Sequence, residues 1–190
     1  PLSVTVTNLS NSATGVLSVA STNNNFAIAP ASLDSITSKN GTRTFTVTPK
    51  AGLSAGTYNA TITVSGTNVT PKSFNVKFTV DASNPAISLS PASIEFADAI
   101  VNYTDVPAAQ TITVMNTGNT KTGKLTVTLT GTDKNDFALS GLSGASKNSI
   151  ASIEKGQTAT FTVQPKADLG IREHKATITV SGDGLTTQSV

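Results

Sequence analysis

The feature of this sequence that most constrains its fold is a stretch of 22 residues that occurs twice. Residues 45–66 have the sequence FTVTPKAGLSAGTYNATITVSG, and residues 161–182, 116 positions later, have the sequence FTVQPKADLGIREHKATITVSG. Fourteen of the 22 positions are identical. Each copy has an apolar/polar alternation, a proline-containing corner and a second alternation, which is typical of two β-strands joined by a corner. A repeat at this spacing indicates a duplicated module of domain size.

A chain of 190 residues can hold two such modules, which we place at residues 1–81 and 82–190. Apolar residues make up only 37% of the chain and charged residues 13%. Much of the remainder is Thr, Ser, Asn and Gly, which suit exposed strand faces and turns. The absence of cysteine excludes disulfides, thiolate metal sites and cysteine nucleophiles.

The charge and hydropathy patterns restrict the partners that we expect. The net charge of +2 comes from scattered basic residues that form no run with aromatic residues, so we expect no nucleic-acid partner. No apolar run is long enough to cross a bilayer, so we expect no membrane insertion within these residues.

Short alternating segments separated by turn residues occur throughout both modules. They predict an all-β chain of two tandem immunoglobulin-like antiparallel β-sandwich domains, joined by a short linker at residues 81–85. Residues 87–96 have no counterpart in the first module, and Val190 aligns with Phe74, inside the predicted last strand of that module. We therefore expect a first module that lacks its first strand and a second module with a truncated last strand. Both would leave open sheet edges.

Three motifs in the second module carry a resemblance to a known family: residues 116–140 (NTGNTKTGKLTVTLTGTDKNDFALS), residues 155–170 (KGQTATFTVQPKADLG) and residues 176–182 (ATITVSG). They resemble the abnormal-spindle/Hydin-like immunoglobulin-like repeat and its bacterial surface-protein relatives. The similarity is looser in the first module, which has Asn-Leu-Ser in place of Asn-Thr-Gly, and Asn25 in place of an aspartate. The resemblance implies a seven-stranded sandwich found in multidomain proteins, usually without catalysis, and it specifies no ligand.

Residues 52–56, Gly-Leu-Ser-Ala-Gly, match the G-x-S-x-G pattern of a nucleophile elbow. That mechanism requires a helix directly after the serine. The segment that follows is a predicted strand at residues 58–64, and the second copy has no serine at this place. We therefore interpret the motif as a corner between strands, and we predict no catalytic residue and no enzymatic activity.

Four residues are assigned structural roles at the corners: Tyr58, His174, Pro49 and Pro165. We interpret Tyr58 as a tyrosine corner, in which the hydroxyl group bonds back to the corner backbone. His174, the only histidine, occupies the equivalent position in the second copy, so we expect an imidazole nitrogen close to the backbone of residues 166–172.

Asp133, Asn135 and Asp136 lie in one loop and are weak candidates for metal ligands. Calcium needs six or more oxygen ligands, and this loop offers three side chains with a lysine between them. An Asx turn explains the pattern better. We therefore expect no metal and no cofactor.

Tandem duplication, a short linker and a surface rich in Thr, Ser and Asn favour a non-catalytic structural or spacer module. We expect it to belong to a larger bacterial extracellular or cell-surface protein, with neighbouring domains of the same polypeptide as its partners. The alternative is an adhesion module that binds a protein or a carbohydrate (glycan) through loops at one pole of the sandwich. The loops at residues 23–25 and 142–149 would be the place for such a contact.

Overall fold

The computed structural model describes all residues from 1 to 190. The chain divides into two compact units, Pro1–Ala82 and Ser83–Val190. Apart from one 3-10 turn at Lys134–Asp136, the regular structure consists of β-strands. Each unit contains two antiparallel sheets, so the prediction of an all-β chain with β-sandwich architecture is confirmed.

The first unit contains seven strands in two sheets. The strands are β1 (Leu2–Thr7), β2 (Leu17–Ser21), β3 (Phe26–Ala29), β4 (Ser32–Leu33), β5 (Thr42–Pro49), β6 (Gly56–Gly66) and β7 (Val69–Val80). One sheet has the order β1-β5-β3 and the other has the order β4-β2-β6-β7. The alternation places apolar side chains between the sheets, where Leu17, Phe45 and Ile62 are fully buried.

The second unit contains eight strands in two sheets. The strands are β8 (Ile87–Ser90), β9 (Gln110–Asn116), β10 (Leu125–Thr130), β11 (Phe137–Ser140), β12 (Ser149–Ile150), β13 (Thr158–Pro165), β14 (Thr177–Ser181) and β15 (Gln188–Ser189). The sheet orders are β11-β13-β9-β8 and β12-β10-β14-β15. Its core includes Leu125, Phe161 and Ile178, the counterparts of Leu17, Phe45 and Ile62 in the first unit.

The duplication extends to strand register. Val4 pairs with Phe45 in the first unit, and Ile112 pairs with Phe161 in the second. The prolines that end β5 and β13 also occupy equivalent places, because Pro49 pairs with Phe26 and Pro165 pairs with Phe137. Both prolines lie at a strand end, where the missing N–H group costs no ladder hydrogen bond.

Strand β8 makes the main difference between the units. It pairs with β9, whereas the equivalent edge of β1 has no neighbour. Ile112 and Val114 on β9 are 0% exposed, but their counterparts Val4 and Val6 on β1 are only half-buried. The alternation of β1 therefore predicts the inward face correctly, while the degree of burial depends on the neighbouring segment.

Three details differ from the sequence-based expectations. Part of the predicted linker belongs to the second unit, because the Asn84 amide donates to Asn119 Oδ1 (2.8 Å). The apolar residues Ile87, Leu89, Ile94 and Phe96 predict a leading edge strand interrupted at Pro91. Only Ile87–Ser90 forms a strand, and residues 91–109 form none. The alternation of Phe74, Val76, Phe78 and Val80 predicts that all four side chains face inward, but Phe78 is 37% exposed. It lies opposite Tyr58 in the part of the β6–β7 hairpin that extends beyond β2, where β2 provides no neighbouring strand.

Gly118 allows the segment before β8 to contact the turn after β9. A Cβ atom at Gly118 would lie 2.5 Å from the Asn84 carbonyl oxygen and 2.7 Å from the Ala86 nitrogen. The Gly118 amide donates to the Ala86 carbonyl (3.1 Å). The first unit has Ser10 at this position, and within residues 1–190 no strand pairs with the outer edge of β1. The difference between Asn-Thr-Gly and Asn-Leu-Ser therefore follows from the presence of β8.

We expect Gly118→Ala to lower the free energy of unfolding of the second unit by about 1–3 kcal/mol, because the new Cβ would clash with backbone that cannot move independently. Urea denaturation of the chain, followed by hydrogen exchange in each unit, measures this loss. The matched substitution Ser10→Ala should change stability by less than about 0.5 kcal/mol. Equal effects of the two substitutions would contradict the explanation.

Candidate functional site

The most concentrated group of charged side chains lies in the second unit, where the corner after β13 meets the loop before β11. Arg172 Nη1 is 2.9 Å from Asp133 Oδ1, and Arg172 Nη2 is 3.3 Å from Asp136 Oδ2. His174 Nδ1 lies 2.7 Å from the same Asp136 oxygen. The backbone amide of Lys175 donates to Asp133 Oδ2 (2.9 Å). We refer to Asp133, Asp136, Arg172 and His174 as the corner cluster.

His174 and Tyr58 make equivalent contacts in the two units. The Tyr58 hydroxyl donates to the carbonyl oxygen of Ser54, four residues earlier, at 2.8 Å. His174 Nε2 lies 2.9 Å from the carbonyl oxygen of Gly170, also four residues earlier. Each side chain thus ties the segment that follows the corner back to the corner itself. The imidazole makes a second contact, to Asp136, for which the phenol has no equivalent nitrogen.

The geometry around His174 specifies the charged form of the imidazole. A carbonyl oxygen and a carboxylate oxygen can only accept hydrogen bonds, so both ring nitrogens must donate, as they do in the imidazolium. The Gly170 carbonyl, followed by the Asp136 carboxylate, therefore raises the pKa of His174 above its ordinary value of 6.5, against the opposing effects of burial and of Arg172.

Asp133 is held in its ionised form. Its side chain is only 9% exposed. The amide of Lys175, followed by the guanidinium of Arg172, lowers the pKa of Asp133 below its ordinary value of 3.8. The Asp133 carboxylate thus accepts hydrogen bonds from Arg172 and from the Lys175 amide. It makes no capping hydrogen bond to the 3-10 turn that follows it. The Asx-turn interpretation of Asp133 is therefore wrong, because the neighbouring corner supplies stronger donors.

Asp133, Asp136 and His174 have potential metal-binding atoms within 4.8 Å of one another. Binding of a cation would require loss of the proton from His174 and displacement of the Arg172 guanidinium from both carboxylates. Of the three loop residues that the sequence suggested as weak metal candidates, the structure brings together Asp133 and Asp136, while Asn135 is exposed. The donor set therefore fits an ion-pair network better than a metal centre.

The G-x-S-x-G motif lies in the corner between β5 and β6. Ser54 is exposed, and strand β6 begins two residues later at Gly56. No helix follows the serine, and its carbonyl oxygen accepts the hydrogen bond from Tyr58. The geometry is that of a corner between strands and differs from a nucleophile elbow.

A buried asparagine organises the equivalent turn in each unit. Asn116, at the end of β9, donates from Nδ2 to the carbonyls of Thr120 (2.8 Å) and Ile153 (2.9 Å), and its Oδ1 accepts from Gly118. Asn8 makes the same three types of bond in the first unit, to Ser12, Ile36 and Ser10.

Sequence reasoning missed the roles of Asn8, Asn116 and Arg172. The sequence did contain a sign of the role of the two asparagines, because the alignment of the two copies places Asn8 and Asn116 at the same position of a turn. Arg172 carried none, since its counterpart is Gly56 and its carboxylate partners lie more than 35 residues away in the chain.

The two loops suggested for ligand binding are braced internally. Asn23 Nδ2 donates to the carbonyl of Asn59 (3.0 Å), and Asn23 Oδ1 accepts from the Asn25 amide (2.9 Å). The hydroxyl groups of Ser143 and Ser149 each donate to the carbonyl of the other residue, at 2.9 and 2.7 Å. The polar groups of both loops therefore form hydrogen bonds that stabilise the loops themselves.

Comparison with known proteins found only distant structural similarities. No protein-family model matches the chain, and no curated protein matches it. The exo-chitosanase CsxA of Amycolatopsis orientalis is 15% identical with a TM-score of 0.37; the match covers 99% of this chain and 25% of that one. A β-glycosidase from Bacteroides vulgatus is 14% identical with a TM-score of 0.33, and 24% of its chain is covered. The D0-D1 domain of Intimin is 15% identical with a TM-score of 0.29, covering 98% of this chain and 88% of that one.

The chain spans about a quarter of the two glycosidase chains, and at these TM-scores the likenesses carry no information on function. No helix in the structure has the length and apolar character needed to cross a membrane.

The second unit should lose stability as the pH rises through the pKa of His174. Because this pKa is raised in the folded state, the contribution of the imidazolium is complete below about pH 6.5 and disappears above the folded-state value. Urea denaturation between pH 5 and 9, resolved by hydrogen exchange in each unit, measures the loss. His174→Tyr, which introduces the residue of the first unit, should abolish this dependence; an unchanged slope in the variant would contradict the assignment.

Removal of the buried amide in Asn116→Ala should lower the free energy of unfolding of the second unit by about 1–3 kcal/mol, since it leaves buried backbone groups without partners. Asn8→Ala should have a similar effect on the first unit. The control is Asn135→Ala, at an exposed position, which should change stability by less than about 0.5 kcal/mol. Thermal and urea denaturation provide the measurement, and a neutral Asn116→Ala would refute the role of this turn.

Proposed function

We propose that the chain is a non-catalytic spacer, a pair of immunoglobulin-like modules within a larger bacterial extracellular or cell-surface protein. The observation that carries this proposal is the use of polar side chains inside both units. Every buried side-chain nitrogen or oxygen has a hydrogen-bond partner, and the principal networks connect turns and corners. Such networks make a module rigid, which is the property that a spacer requires.

The residues whose side chains could act as acids, bases, ligands or nucleophiles support the same proposal. His174 uses both of its nitrogens to connect a corner to a loop. Asp133 and Asp136 are paired with Arg172, and Ser54 lies in a corner between strands. Architecture alone does not specify function, so it is this use of the reactive groups that favours a structural role.

Composition and resemblance support the proposed location and partners. The chain lacks cysteine and is rich in Thr, Ser and Asn. The motif at residues 116–140 resembles the abnormal-spindle/Hydin-like immunoglobulin-like repeat and its bacterial surface-protein relatives. Neighbouring domains of the same polypeptide are the proposed partners, which fits a module whose two copies follow one another directly.

Single-molecule force spectroscopy, with the chain held between its two ends, tests the spacer role. We expect two separate unfolding events, because the chain forms two compact units, Pro1–Ala82 and Ser83–Val190. At about 3.3–3.6 Å per residue, their extended lengths are roughly 270–300 Å and 360–390 Å. Asn116→Ala should lower the force of the longer event and leave the shorter one unchanged. Extension without resolved events would contradict a spacer.

Two assays separate this role from its alternatives. Ester and glycoside substrates should show no turnover that depends on Ser54, so Ser54→Ala and the unmodified chain should give the same background. Glycan and protein arrays should show no ligand whose binding depends on residues 23–25 or 142–149. A ligand lost on replacement of either loop would instead support adhesion.

A further inference from the structure

The corner of the second unit, residues 166–172, contains a residue in an unfavourable backbone conformation. Asp168 has a φ of 63°, in the left-handed region that favours glycine. Its counterpart in the first unit is Gly52, with a φ of 76°. A residue other than glycine keeps this conformation only where the contacts around it hold it in place. The second corner therefore depends on its contacts more than the first corner does.

The contacts of the second corner are concentrated at its two ends. Its first residue, Lys166, donates its amide to the Asp136 carbonyl oxygen (2.8 Å). Its last residue, Arg172, forms the ion pairs of the corner cluster. Between these ends the corner makes one hydrogen bond, in which His174 Nε2 lies 2.9 Å from the Gly170 carbonyl oxygen. The middle of the corner thus depends on the imidazole for its single hydrogen bond.

The imidazole can make this bond together with its second one only while it is charged. Asp136 Oδ2 lies 2.7 Å from the other ring nitrogen, Nδ1, and a neutral imidazole has a single N–H group. The hydrogen bond to the carboxylate is the stronger of the two, so the remaining proton stays on Nδ1. The lone pair of Nε2 then points at the Gly170 carbonyl oxygen, and two acceptors repel each other at this distance.

Eight titratable side chains lie on the elements around His174: Arg172, Glu173 and Lys175 on its own segment, Asp133 and Asp136 on the loop before β11, and Glu95, Asp98 and Tyr103 within residues 93–107. Of these, Asp136 forms an ion pair with the imidazole, while Glu173 and Lys175 pair with each other (2.8 Å). Imidazole is the side chain that ordinarily changes its charge between pH 5 and 8. A change of the corner in this range therefore indicates titration of His174.

We propose that the second corner is a pH-sensitive element, in which loss of the His174 proton to solvent releases residues 167–171 while both sheets stay folded. Release is local because none of these residues belongs to the hydrophobic core, and it also relieves the conformation of Asp168. The first corner has no such response, since the Tyr58 hydroxyl makes one hydrogen bond, to Ser54. This inference is independent of the spacer role.

NMR on the intact chain between pH 5 and 9 tests the release. We expect order parameters of about 0.85 for residues 167–171 while His174 is charged, and below about 0.6 once it is neutral. The midpoint of this change should coincide with the midpoint of the imidazole titration, read from the ring signals of His174. Residues 51–55, the equivalent part of the first corner, should not change. A corner that is equally ordered at pH 5 and 9 would overturn the proposal, as would two different midpoints.

Hydrogen exchange separates release of the corner from unfolding of the unit. The Val127 amide donates to the Asn148 carbonyl (2.8 Å), and the Val127 side chain is 1% exposed. After correction for the intrinsic rate at each pH, exchange of this amide should remain at least about a hundredfold slower at pH 9 than in an unstructured peptide, since opening of the core costs most of the global stability. Loss of this protection together with the order of the corner would show unfolding and contradict local release.

Two variants test the dependence on His174. In His174→Tyr, residues 167–171 should stay ordered at both pH values, because a hydroxyl group supplies the single bond that the first corner has. Asp136→Asn removes the carboxylate charge, so the midpoints of imidazole titration and of corner release should move to lower pH together. If Asp136→Asn fails to fold, the comparison of His174→Tyr with the unmodified chain remains decisive. A corner of His174→Tyr that is mobile only at high pH would refute the role of the imidazole.

Discussion

Burial of one face of each sheet against the other is the constraint on which both units depend. Because side chains alternate with a period of two, a shift of one residue would move every core side chain to the solvent. Phe45 and Phe161 are each 1% exposed and face the same partner positions on β1 and β9. Once this register holds, the places where the chain leaves the sheets are also determined. There, backbone groups without ladder partners are satisfied by Asn8 and Asn116.

The differences between the units follow from what lies beside each sheet. Where β8 covers β9, Gly118 replaces Ser10, and Ile112 is more deeply buried than Val4. At the corners, the phenol of Tyr58 provides one hydrogen bond, and the imidazole of His174 provides two. The second bond is possible because the loop before β11 has a carboxylate, and it gives this unit a titratable connection that the first lacks.

Local pattern was sufficient to predict most of the strands and the sandwich, because alternation and turn residues are short-range signals. The duplication also indicated that Tyr58 and His174 occupy equivalent positions after their corners. It could not indicate the ion pairs of Arg172, whose partners are distant in sequence and absent from the first copy. The exposure of Phe78 was missed for the same reason: burial depends on a covering segment, and the strand's own alternation contains no information about that segment.

Polar side chains inside these units serve the fold, so the groups left available to a partner are largely those of the backbone. A sheet edge with free N–H and C=O groups binds any extended chain weakly and without selectivity, which natural proteins usually prevent. An edge beside an apolar groove differs, because the groove accepts only strands whose side chains alternate correctly. In this chain the charged side chains that could add selectivity, those of Asp133, Asp136 and Arg172, form ion pairs with one another.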